Sequence, residues 1–103
     1  MDKYMGQLKA FFPENNISVF GFAPASSLET EPPGSRPSDL LPGAETLICL
    51  GLPIPRGIFK SRGKALRLYW RTANIYYRQI DALLLQAARL LEENGETAVP
   101  VFG

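Results

Sequence analysis

The apolar positions of the first dozen residues fall at helical spacing. Tyr4, Met5, Leu8, Phe11 and Phe12 recur three and four residues apart, which predicts a short helix over residues 2–12 that Pro13 stops. Asn15 and Asn16 then turn the chain. Residues 17–23 alternate in part and are rich in strand formers (Ile17, Val19, Phe20, Phe22), which predicts a strand. Gly21 inside it predicts a bulge or a close backbone approach.

The pattern breaks at Pro24. From there to Gly43 the chain carries Pro24, Pro32, Pro33, Pro37 and Pro42 and forms a long surface loop, functional or mobile, with one helical turn over residues 38–41. Residues 45–53 are apolar almost throughout, as a central strand covered on both faces would be, and Cys49 in the middle reads as a buried structural thiol. A basic, Gly-punctuated connection follows over residues 56–64.

The strongest periodicity runs from Ala65 to Asn94. Leu66, Tyr69, Ala73, Tyr76, Ile80, Leu83, Leu84, Ala87 and Leu91 hold one stripe, and Trp70, Tyr77, Ala88 and Leu90 widen it. Gly95 closes the helix as its left-handed terminator. A helix of this length spans roughly 40 Å, more than a compact domain of this size is wide. It therefore either kinks near residues 72–74 or packs in part on another chain. Residues 97–103 read as a third strand, which Pro100 places at a sheet edge or a break in pairing. The order predicts an α/β (α+β) domain, a small sheet of about three strands packed by one long helix. Its core is thin for this much apolar sequence. A single domain over residues 1–103 is expected, as a fragment of a larger protein or as a subunit that completes its core by forming a homo-oligomer.

Composition narrows the chemistry. The 103 residues are 46% hydrophobic and 20% charged, which excludes the disordered class. A net charge of +1 excludes a globally basic nucleic-acid binder. No His and one Cys exclude a zinc site of the usual ligand count, an internal disulfide and any imidazole triad. No apolar run approaches a membrane span, and no targeting signal opens the chain, so no membrane partner is expected. One unpaired Cys fits a reducing, cytoplasmic compartment.

One asymmetry stands out. Arg56, Lys60, Arg62, Lys64, Arg67, Arg71 and Arg78 run with no acidic residue between Glu45 and Asp81, and Tyr69, Trp70, Tyr76 and Tyr77 interleave with them. Arg67, Arg71 and Arg78 share a helix face. The cluster is either a solvated helix face or an anion site, for a nucleotide phosphate, a corrin side chain or, least favoured, nucleic acid. The glycine spacings match no phosphate loop, and no carboxylate pair has acid–base spacing. Asp39 and Glu45 read as turn caps, and the helix tyrosines read as core before proton donors.

Two segments carry a family resemblance. Val19-Phe20-Gly21-Phe22-Ala23-Pro24-Ala25 and Leu41-Pro42-Gly43-Ala44-Glu45-Thr46-Leu47-Ile48-Cys49-Leu50-Gly51-Leu52-Pro53-Ile54 resemble the opening strands of proteins similar to epoxyqueuosine reductase and, more distantly, of reductive dehalogenases. Tyr76-Tyr77, Asp81-Ala82-Leu83-Leu84, residues 88–95 and Ala98-Val99-Pro100-Val101 resemble the elements that follow, so order and spacing agree from about residue 17 to 103. The resemblance implies part of a cobalamin-binding module related to the nitroreductase fold, followed in such proteins by a ferredoxin-like domain with two Cys-bound [4Fe–4S] clusters.

On that basis the chain is expected to be a noncatalytic N-terminal piece of an iron–sulfur oxidoreductase that contributes to cofactor or substrate binding. Cobalamin and [4Fe–4S] clusters would belong to a full-length parent, with no cofactor in this chain alone. Arg56, Arg67, Arg71 and Arg78 would meet anionic groups, and Trp70 or Tyr77 would stack on the ligand. The competing expectation is a stand-alone oligomeric binding or assembly module without cofactor.

Overall fold

The computed structural model describes residues 2–102. Its elements are α1 (Asp2–Glu14), β1 (Val19–Pro24), a 3₁₀ turn (Ala25–Leu28), α2 (Pro37–Leu40), β2 (Thr46–Gly51), α3 (Arg56–Lys60) and α4 (Ala65–Glu93). The class is mixed α/β, with one two-stranded sheet and one long helix.

Helix α1 runs one turn position beyond Pro13 before it closes. Pro13 cannot donate, and the chain end is tied instead by the Asn15, Asn16 and Ile17 amides, which bond to the Phe11, Phe12 and Pro13 carbonyls. Asn16 takes a left-handed φ of 65°, the turn expected of that Asn pair. Ile17 lies outside the strand: its amide donates to the Phe12 carbonyl at 2.8 Å, and its side chain enters the core.

Strands β1 and β2 pair antiparallel without a bulge, Gly21 facing Cys49 in unbroken register. Phe20 opposite Leu50 and Phe22 opposite Ile48 point to one face and pack on the core. The other face carries Val19, Gly21 and Cys49 and is open to solvent. Cys49 is therefore exposed, not the buried thiol expected of a strand covered on both sides. An antiparallel pair with one packed face is enough to explain it.

The core is small and sits at one end of the molecule. Leu8, Phe12 and Ile17 meet Ala87 and Leu91 of α4, with the sheet residues Phe20, Phe22, Ile48 and Leu50 against them. The Phe12 and Phe20 rings lie 5.0 Å apart and Phe20 and Phe22 6.3 Å, so an aromatic row links α1 to the sheet. The Tyr4 hydroxyl donates to the Asn94 carbonyl and ties α1 to the end of α4.

Helix α4 holds 29 residues, and its hydrogen-bonded run is not broken at residues 72–74. The chain as a whole measures 48 × 35 × 18 Å. Gly95, at φ 88°, terminates α4 as expected, and the Gly95 and Glu96 amides bond back to the Glu92 and Leu91 carbonyls. The expected third strand does not form over residues 97–102, and Gly103 lies outside the described residues. That segment joins no described strand. Pro100 has no amide to give a ladder, and the Ala98 amide turns to the Glu92 carboxylate at 3.4 Å.

The long loop is held by its own polar groups. The Asp39 carboxylate accepts from the Gly34 amide at 2.7 Å and the Arg36 amide at 3.0 Å, and the Glu29 carboxylate accepts from the Ser38 hydroxyl at 2.9 Å. Asp39 is thus the turn cap that its position predicts. No described helix is long and apolar enough to cross a membrane.

Candidate functional site

The accessible surface, 7398 Å², exceeds the roughly 5,800 Å² expected of a folded monomer of this mass. The radius of gyration is 15.9 Å, against about 13 Å for a compact chain of a hundred residues. Two concave regions lie on this surface, one a groove and the other a helix face.

The groove is the larger. It encloses 810 Å³ between β2 and the second half of α4, and residues 97–101 form its far wall. Ile48 and Leu50 floor it from the strand, while Ile80, Leu84 and Ala88 approach from the helix. The apolar stripe of α4 runs into this space and is only partly covered: Ala87, Ala88 and Leu91 are buried, Leu84 and Ile80 half-buried. The second edge of β2 pairs with no described strand. Strand and helix each offer an apolar surface, and neither fills the gap between them. Such a volume is of the size that binds a ligand or an inserted segment of chain.

The helix face lies on the first half of α4. Arg67, Trp70, Arg71, Asn74, Ile75 and Arg78 line a shallow hollow of 350 Å³ there. Helical spacing alone brings the arginines together, since positions 67, 71, 74 and 78 stack on one side of the cylinder. Four of the six residues expected at an anion site, Arg67, Trp70, Arg71 and Arg78, therefore do meet. Arg56 and Tyr77 do not join them. Arg56 opens α3, and Tyr77 lines the groove instead. Tyr76 gives its hydroxyl to the Pro53 carbonyl at 3.0 Å, a tie between α4 and the chain after β2.

The expectation of a continuous core stripe on α4 is corrected at its first half. Leu66 is 83% exposed and Trp70 67%, and Tyr69 and Tyr77 are exposed as well. The Tyr69 ring meets the Phe59 ring of α3, with centroids 6.0 Å apart. The buried residues of α4 among those described, Ala87, Ala88 and Leu91, all lie in its second half.

Iron–sulfur ligation does not fit these residues. Cys49 is the sole thiol, it sits exposed on the outer sheet face, and no group of three or more potential ligands comes together among the described residues. The six residues expected to meet a ligand do not all line one hollow: Arg67, Trp70, Arg71 and Arg78 share one, Tyr77 borders the groove and Arg56 opens α3. The groove was not foreseen in the sequence. Its signal was present in the uninterrupted apolar run of β2 facing the stripe of α4, with too few elements to cover both. No protein-family model, curated protein or solved structure matches this chain.

Proposed function

We propose that this chain is a noncatalytic N-terminal unit of an iron–sulfur oxidoreductase similar to epoxyqueuosine reductase, and that it supplies one wall of a cofactor or substrate site. The observation that carries the reading is the 810 Å³ apolar groove between β2 and α4, with the free edge of β2 beside it. A half-open core of this kind is what a unit presents when further polypeptide completes it. The succession of strand, proline-rich loop, strand and long helix supports the same reading, while the strand that the resemblance implies after α4 does not form.

With one Cys and no His in the chain, redox chemistry and cluster ligation fall to the remainder of the parent. Low-temperature EPR of the protein expressed from its complete reading frame tests the reading. Reduced [4Fe–4S] signals, lost when downstream cysteines are replaced, are expected. An iron-free product from that frame overturns it.

A further inference from the structure

The first half of α4 carries a row of cations that the proposed function leaves unused. Arg67, Arg71, Asn74 and Arg78 follow one another at steps of four, three and four, the spacing of a helix–helix seam, within an arc of roughly 60°. All four are exposed and line the same hollow, with Trp70 on one flank and Ile75 on the other. Among the described residues, none of the three guanidinium groups has a hydrogen bond or an ion pair. The row does not serve the helix either. Arg67 and Arg71 are like charges one turn apart, and Arg67 sits in the first turn, where the dipole disfavours a cation and no acidic residue offsets it. The first carboxylate beyond the row, Asp81, is half-buried, borders the groove and already has an interaction of its own.

We infer that this row docks an acidic amphipathic helix of another protein, its carboxylates facing the arginines and its apolar side chains covering Trp70 and Ile75. A helix laid along α4 presents side chains at the same steps of four and three, so glutamates at that spacing reach Arg67, Arg71 and Arg78 together. Asn74 takes the remaining seam position as donor and acceptor. The row is about 16 Å long, more than a lone phosphate or carboxylate bridges. Its arginines lie at the centre of the exposed arc and the apolar residues on its flanks, the reverse of a helix that lies in a bilayer surface. A single-stranded nucleic acid would stack on rings, and the second flank offers the aliphatic Ile75 and Leu68 instead. A second copy does not supply the acids, because no three of the chain's ten acidic residues repeat the spacing of the three arginines.

Docking requires both kinds of contact. Surface ion pairs alone contribute little in water, and Trp70 and Ile75, 67% and 50% exposed, supply the apolar area that the pairs lack. The inference does not rest on the proposed function, because the hollow and the groove share no lining residue.

Titration of the 103-residue chain with a synthetic, tryptophan-free peptide of about four helical turns is the test. The peptide carries glutamates at steps of four, three and four and leucines on both flanks of that seam. Trp70 is the sole tryptophan, so its emission reports the hollow directly. Binding is expected to move that emission to shorter wavelength and to weaken as salt is added. Arg71→Glu weakens binding about tenfold, and a peptide with one seam glutamate changed to lysine restores it. Arg78→Glu repeats the result at the other end of the row, and far-ultraviolet circular dichroism checks that each variant folds. An unmoved emission at low salt, or equal binding of a peptide with its glutamates scrambled off the seam, overturns the inference. So does tighter binding of tripolyphosphate, oligothymidylate or phosphatidylserine vesicles than of the peptide.

Discussion

The two halves of α4 have similar apolar content and opposite fates. In the second half, Ala87, Ala88 and Leu91 are buried against Leu8, Phe12 and Ile17. In the first half, Leu66, Trp70 and Tyr77 repeat the same spacing in solvent. One continuous stripe thus passes from a core to an open surface without any change in its own pattern. A helix stripe shows that something covers it; the surrounding elements decide whether that cover lies in the same fold. Here α1 and the sheet supply it for one half only.

The sharpest way to break this comparison is to truncate each half. Phe12→Ala removes a fully buried ring at the centre of the cluster and is expected to cost about 3–5 kcal/mol, enough to unfold most of a small domain. Leu66→Ala, on the same periodicity as the core residues of α4, is expected to change stability by less than about 0.5 kcal/mol. Urea unfolding followed by circular dichroism measures both. A large loss at Leu66 would mean that the first half is packed after all.

A second contrast concerns how α4 is closed. Gly95→Ala puts a side chain at φ 88° and is expected to cost about 1–2 kcal/mol in the same assay, with loosening confined to the Tyr4–Asn94 end. A change below a few tenths would show that this end does not hold the core together.

Trp70 gives a smaller and more selective effect. As the sole tryptophan, it reports by its own fluorescence, and in the dilute chain its emission is expected to be that of a solvated indole. A buried-type spectrum at all dilutions would contradict the exposure of this half.

The smallest effect lies in the loop. The Arg36 and Gly34 amides that donate to Asp39, with the Arg36 charge added, hold its carboxyl below the ordinary value of 3.8. Its folded value is depressed, so its contribution is full above the ordinary value and fades as pH falls through the folded one. Amide shifts of Gly34 and Arg36 are therefore expected to hold steady from neutral pH to about pH 4 and to move below it. Asp39→Asn should remove that titration while leaving the core untouched.

Much of this layout was legible in the residues. Local chemistry carried the turn at Asn16, the cap at Asp39 and the terminator at Gly95, because each depends on neighbours a few positions away. The helix periods of α1 and α4 were equally plain. What was not legible depended on coverage. Cys49 read as buried because an apolar run does not say how many faces its sheet hides, and residues 97–102 read as a strand because composition cannot report whether a partner edge is within reach. The anion site was half legible: helical spacing alone gathers Arg67, Arg71 and Arg78, whereas Arg56 and Tyr77 depended on where α3 and the groove would lie.

The contrast along α4 is tested most directly by residue-resolved hydrogen exchange on the chain diluted until sedimentation finds a monomer. Amides of residues 83–93 are expected to exchange only by global unfolding. Amides of residues 65–79 are expected to open locally and exchange far sooner. Equal protection along the whole helix would show that its first half is covered within the single chain, and the account of an uncovered binding surface would fail.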